Sequence, residues 1–390
     1  MSGPPALPLP ALAGRFLRLG ALAWGGPVVQ IAALHREFVE HERWVDEARF
    51  RQVLAVYQAL PGPEATELCI WFGTLARGRL GGFVAGLCFV LPGFLLMLLA
   101  SWLLLGRAWP PTLAAAFGGM QAAVVALVVR AAWRLLRTAV HGQRPLQFAA
   151  GAATLGSLAG APFGIALLGG GLLGATWRSR WHWLFVPILL GWALAAALAL
   201  AAGHAVVQPP LDAPAGPPPG FPALFGSGLQ AGALTFGGAY TAIPFLQADA
   251  TGPQGWMTLR QFLDGLAVGG VMPAPLVIFS TWVGWAGGGL PGALLLTLGM
   301  FLPAFTFPLL LHDRLERLVR IPRLHAMLDG VTAAVAGLIV AVAVQLTATL
   351  SSWPRLGIAL LALAALARLR SRLAVLPVMA AAALAGLLTG

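Results

Sequence analysis

Residues 16–63 carry three segments: FLRLGALAWGGPVVQ at 16–30, HERWVDEARFRQVL at 41–54 and ALPGP at 59–63. They return downstream as LQAGALTFGGAYTAIP at 229–244, GWMTLRQFL at 255–263 and VMPAP at 271–275. One step of 212 residues carries Gly20 to Gly232, Gly25 to Gly237, Trp44 to Trp256, Phe50 to Phe262 and Pro63 to Pro275. Further on the step becomes 211: Leu91-Pro92 maps to Leu302-Pro303, and GMQAAVVAL from Gly119 maps to GVTAAVAGL from Gly330. The chain is a duplication. Its expected divisions are a first repeat at 1–181, an extra transmembrane helix with a Pro-rich linker at 182–221, and a second repeat at 222–390.

Composition sets the medium. The chain has 390 residues, 59% of them hydrophobic and 9% charged, with a mean hydropathy of +0.83. Soluble domains carry far more charge, so the expected fold is an all-α polytopic membrane protein. The opening MSGPPALPLPALAG lacks a basic start before an apolar run, and no removable signal peptide is expected. The formal net charge is +11 and every basic residue counted is arginine, yet the arginines cluster between apolar runs. That placement argues for membrane topology and against nucleic acid as a partner. Cys69 and Cys88 both lie inside apolar runs, so neither a disulfide framework nor a metal site is expected.

The apolar runs are broken at matching places. The first, 12–34, is interrupted at Gly25-Gly26-Pro27, and a helix from 47 to 60 stops at Pro61-Gly62-Pro63. Trp44 and Asp46 read as an interfacial anchor and a helix cap. A short helix then runs from Glu64 to Arg77 and Arg79, followed by a run at 80–105 expected to bend at Pro92-Gly93. Further runs cover 112–129, 146–158, 163–175 and 183–207, and residues 208–222 read as an extended linker. The second half repeats the order, with its bend expected at Pro303. Two inverted-topology repeats with broken, partly re-entrant helices are the pattern of secondary transporters.

Arginine placement supplies the inversion. The stretch 35–51 has four arginines against Arg260 alone in 247–263. After the next run the order flips, with Arg107 against Arg314, Arg317, Arg320 and Arg323. It flips back with Arg130, Arg134, Arg137 and Arg144 against Arg355. Equivalent loops therefore lie on opposite sides, with the N-terminus cytoplasmic and the C-terminus outside. Segments 12–34 and 52–76 would then each leave on the side they came from.

A helix interrupted in lipid exposes backbone N–H and C=O groups that only protein or a water-lined cavity can satisfy. A half-helix start aims N–H groups and the positive dipole end at whatever faces it, which suits an anion. Four such starts occur in matched pairs: Gly25, Gly26 and Pro27; Gly62 and Pro63; Gly237, Gly238, Ala239 and Tyr240; and Pro273 and Pro275. Gln121 and Thr332, one 211-residue step apart, are lone polar groups on apolar helices and line the pathway or bond neighbouring helices. Glu64 and Glu67 follow the second break and are the expected proton-coupling acids, because an ionisable group in an apolar half-helix is functional by default. Beside an anion, at least one of them must carry a proton for part of the cycle.

The motifs WGGP at 24–27, RWVDEARF at 43–50, LPGP at 60–63, LPGF at 91–94 and FGGA at 236–239 resemble the chromate ion transporter family in its long, two-domain form. The resemblance implies export of chromate across the cytoplasmic membrane, driven by a proton or potential gradient, with sulfate as competitor. The sequence shows no metal-ligand cluster, nucleophile and base pair, or nucleotide loop, so no cofactor and no enzymatic activity are expected. The partners are a small oxyanion, the bilayer and, as an open option, a second copy of the chain. This sequence departs from the family pattern at Ala274, where a glycine is usual, at Ala239, and in having acids at Glu64 and Glu67. An anion channel or general anion exchanger is the rival reading of the same helix starts.

Overall fold

The computed structural model describes residues 7–107, 109–140, 143–177, 182–201, 211–212, 215–319, 321–369 and 374–389. Among them the chain is helical throughout. In order the helices are α1 (Leu9–Ala21), α2 (Pro27–His35), α3 (Glu47–Gln58), α4 (Glu64–Leu104) and α5 (Pro111–Ala139). Next come α6 (Arg144–Leu158), α7 (Phe163–Trp177), α8 (Phe185–Ala201), α9 (Phe221–Ala233) and α10 (Ile243–Thr251). The series closes with α11 (Leu259–Val271), α12 (Phe279–Val319), α13 (Pro322–Ala348), α14 (Trp353–Arg368) and α15 (Val375–Thr389). Residues 208–210, 213 and 214 of the expected linker, the end of the run at 183–207, and Arg178, Arg180, Arg320, Arg370 and Arg372 lie outside the described residues.

Two compact units emerge, and each takes residues from both repeats. The larger comprises Met1–Ala126, Leu211–Leu315 and Ser351–Gly390; the smaller comprises Leu127–Pro210 and Glu316–Leu350. In the smaller unit α13 packs against α6 and α7 through residues without bulk. A Cβ at Gly330 would fall 2.1 Å from the Gly170 carbonyl oxygen, and one at Gly337 would fall 2.2 Å from that of Ala150. Backbones this close are the usual contact between helices in lipid, where small residues replace a hydrophobic driving force.

The larger unit holds both sets of breaks. Four helices among the described residues are long and apolar enough to cross a membrane: α4, α5, the stretch Leu276–Leu310 and α13. Two of them reverse direction. α4 leaves helical torsions at Arg77 (φ −147°) and Gly78 (φ 63°), and α12 does so at Gly288 and Gly289, one 211-residue step away. The limbs of α4 fold back on each other: a Cβ at Gly73 would lie 2.4 Å from Gly81 O, and one at Gly82 would lie 2.8 Å from Ile70 O. Gly284 and Gly292 repeat that contact at 2.4 Å. At about 1.5 Å per residue the limb at 64–76 spans about 20 Å and the limb at 79–104 about 39 Å. Only the second is long enough for a hydrocarbon core of roughly 30 Å, so the first is a half-helix.

Three expectations need correction. Pro92 and Pro303 sit inside α4 and α12 without any departure from helical torsions; the breaks fall at the Arg77–Gly78 and Gly288–Gly289 fold-backs. A proline removes one N–H, which a packed membrane helix absorbs, whereas a residue at positive φ ends the helix. Arg130, Arg134 and Arg137 lie on α5 and not in a loop. Trp44 is no exposed anchor: it is buried 4.5 Å from the Phe38 ring, with its Nε1 donating to Glu42 over 2.8 Å. Asp46 does cap α3, its carboxylate accepting the Arg49 N–H at 2.7 Å.

The two copies meet reciprocally. Gly62 in the first Pro-Gly-Pro turn packs on Ala304, a Cβ there falling 3.4 Å from the Ala304 Cα. Ala274 in the second turn packs on Gly93, where an added Cβ would lie 2.3 Å from the Ala274 Cβ. Gly62 and Ala274 are one 212-residue step apart, and Gly93 and Ala304 one 211-residue step. The same contact therefore forms twice, with the roles of the two copies exchanged.

Candidate functional site

The half-helix starts are built as their glycines require. Gly25 and Gly26 have φ of 95° and 80°, and Gly237 and Gly238 have φ of 75° and 125°. Side chains rarely adopt these torsions. Pro27 is the first residue of α2, where its missing N–H costs nothing. Pro63 and Pro275 stand one place earlier, as N-caps of α4 and of a 3-10 turn at Leu276–Ile278. Ala239 opens a second 3-10 turn, Ala239–Ala242, that leads into α10. Glu64 and Glu67 are consequently the first and fourth residues of their half-helix.

Several of these pieces come together. α2 packs on α4 in the first copy, and the two 3-10 turns pack on each other in the second. Between copies, the Gly62 N–H donates to Thr235 O over 2.9 Å, so the first Pro-Gly-Pro turn is tied to the chain just before Gly237. At the position equivalent to Thr235, Ala23 O accepts instead from Gln30 Nε2 at 3.0 Å. Tyr240 is half-buried, and the Thr241 hydroxyl turns back to Gly238 O at 2.6 Å.

The acids are in the interior. Glu67 is fully buried and Glu64 is buried. Glu67 bends toward the turn, for a Cβ at Gly62 would lie 2.9 Å from its Oε1. Among the described residues, the buried side-chain oxygens without a hydrogen-bond partner are Gln30 Oε1, Glu64 Oε2, Thr66 Oγ1, both oxygens of Glu67, Gln247 Oε1 and Ser280 Oγ. All belong to α2, α10 or the first limbs of α4 and α12. Leaving a buried polar atom unbonded costs roughly 1–3 kcal/mol, and native proteins contain few.

Gln121 and Thr332 separate. Gln121 Nε2 donates to Asp264 Oδ1 at 2.7 Å in the larger unit, whereas Thr332, in the smaller, donates to Leu328 O of its own helix at 2.9 Å. Asp264, Gln30, Thr66, Gln247 and Ser280 were not among the expected residues. Asp264 carries the same signal as Glu67, an acid within an apolar run, in FLDGLAVGG. The hydroxyls and amides have no such signal, since lone polar residues on membrane helices are common. No group of three or more His, Cys, Asp or Glu able to hold a metal occurs among the described residues.

Comparison with known proteins places this architecture. A family model described as chromate transporter matches residues 10–175 and again 222–387. The chain is 49% identical to a chromate transport protein of Pseudomonas aeruginosa, covering 98% of this chain and 93% of that one. It is 32% identical to a chromate transport protein of Cupriavidus metallidurans, covering 86% and 82%. No solved structure matches.

Proposed function

The chain belongs to the chromate transporter family, and on that premise we propose that it is a secondary active transporter exporting chromate across the cytoplasmic membrane, with sulfate competing. The observation that carries the reading is the set of unbonded buried oxygens confined to four half-helices, with the first Pro-Gly-Pro turn hydrogen-bonded to the second copy through Thr235. The dianion binds at those starts, against the first backbone N–H groups that follow Pro27, Pro63, Gly238 and Pro275, where glycines let backbone approach and the helix dipoles favour negative charge. The hydroxyls of Thr66 and Ser280 are further donors within the same turns. Glu64 and Glu67 take up protons as the anion arrives, since two carboxylates beside a dianion would repel it. The repeats lie inverted in the membrane, with the N-terminus cytoplasmic, and the anion site sits where they meet.

The test is flux in proteoliposomes. Labelled chromate should accumulate saturably when a pH difference is imposed, and excess sulfate should slow it. A current that follows voltage without saturation would make the protein an anion channel. Chromate movement that needs anion on both sides and ignores the pH difference would make it an exchanger.

A further inference from the structure

Asp264 is a buried acid that the proposed anion site leaves unused. It is 3% exposed on α11, where every residue from Phe262 to Gly269 is buried. Its Oδ1 accepts from Gln121, itself 5% exposed on α5. One residue comes from each copy, and both lie in the larger unit.

The pair is not something the repeat needs in order to fold. The equivalent of Asp264 is Gln52, exposed on α3 and accepting from Arg49 at 3.3 Å. The equivalent of Gln121 is Thr332, which bonds within its own helix. The other copy forms the same helices without any such contact.

The charges nearest Asp264 form an ion pair of their own. Arg260, one turn earlier on α11, is held by Asp212, with Nε on Oδ1 at 2.5 Å and Nη2 on Oδ2 at 2.8 Å. Of the elements packed on α11, α15 and the Leu276–Ile278 turn carry no ionisable side chain. α10 carries Asp249, engaged by Ser227 Oγ at 2.6 Å. α4 carries Glu64, Glu67, Cys69 and Cys88, with Arg77 and Arg79 at its fold-back, and α5 carries none before Arg130. The hydrogen-bond partner of Asp264 is a neutral amide.

A buried carboxylate with one neutral donor is costly while charged, and in membrane proteins such groups persist where a change of charge is used. We propose that Asp264 is a second proton-binding site, held in place by Gln121, whose protonation is coupled to transport separately from that of Glu67. The proton comes from water and binds the carboxylate, Gln121 keeps Oδ1 as acceptor in both states, and no other bond changes. This rests on the transporter reading above.

Asp264→Asn keeps an acceptor for Gln121 and removes the titrating group, so it separates charge from packing. Chromate flux into proteoliposomes should lose a component of its pH dependence in this variant while saturable exchange persists; an unchanged pH profile overturns the proposal. Should Asp264→Asn fail to fold, Gln121→Leu serves instead. Removing the donor that favours the charged acid must move the profile to more alkaline pH, and no movement overturns the proposal. If the wild-type protein moves no chromate, the transporter reading fails, and infrared titration of the carboxyl C=O band decides Asp264 alone. A titrating band that disappears in Asp264→Asn supports the site; an identical spectrum in both proteins overturns it.

Discussion

Gly93 and Ala274 fit as a pair: the methyl group of Ala274 occupies the space that a side chain at Gly93 would need, 2.3 Å from its ideal Cβ position. The alanine that departs from the family's Pro-Gly-Pro pattern is thus matched by a glycine on the helix it touches, and Gly62 with Ala304 shows the converse. Gly93→Ala should destabilise the protein by about 1–3 kcal/mol through overpacking and slow transport. Adding Ala274→Gly should restore most of both. Thermal unfolding in detergent and chromate flux check this, and a double variant no better than Gly93→Ala would break the pairing argument.

Gly62 has φ of 150°, and a side chain there would press on Glu67 and Ala304 at once. Gly62→Leu should abolish chromate flux while protein still reaches the membrane, because the added atoms occupy the approach to the half-helix start. Normal flux in this variant would reduce the turn to a structural kink.

Glu67, with both oxygens unbonded, is the acid expected to couple protons to the anion. Glu67→Gln should keep chromate exchange between the two sides and lose pH-driven accumulation. Glu64→Gln, at the very start of the half-helix, should chiefly change apparent affinity. Full pH-driven accumulation in Glu67→Gln, or its loss in Glu64→Gln alone, would reverse these roles.

The proposed inversion of the repeats makes a prediction about sides. Single cysteines placed in 208–222 and in 130–144, in a background without Cys69 and Cys88, should react with an impermeant maleimide from opposite faces of the membrane. Labelling of both from one face would exclude the inverted arrangement.

Arg260 holds the Asp212 carboxyl below the ordinary carboxylate range through their hydrogen bond. A depressed value in the folded state adds stability above the unfolded value of about 3.9, and that stability is lost as pH falls through the folded value. Because Asp212 is exposed, the contribution is at most about 1 kcal/mol. Asp212→Asn should therefore lower the unfolding temperature slightly at neutral pH and not in strong acid. An equal loss at both would assign the effect to something other than this ion pair.

Much of this was legible from the spacing of residues. Paired glycines and prolines 212 residues apart located the half-helix starts, because a break in lipid needs residues that tolerate it. The fold-backs were less visible: Arg77-Gly78 looked like a loop edge, while Pro92 looked like a break and was absorbed by its helix. Glu67 stood out as an acid among apolar residues, and Asp264 has the same signature. The reciprocal Gly–Ala contacts could not be read at all, since nothing in one copy names its partner in the other.

The Leu276–Ile278 turn has a consequence for direction. The second copy is one residue shorter after its proline, and a 3-10 turn, rising about 2.0 Å per residue against about 1.5 Å, covers in three residues what an α-helix covers in four. Beyond that turn the half-helix comes into step with the first copy again, at Gly73 and Gly284. The acids are what the second copy lacks: whichever step is used, the places of Glu64 and Glu67 fall on apolar residues or on Pro275. Twin halves that trade roles give inward-facing and outward-facing forms of equal energy only when the halves are identical. In such a cycle, acids carried by one half alone would lift that degeneracy. A transporter built this way would rest toward one side even without a gradient, and acidity on a single face of the membrane would shift that balance.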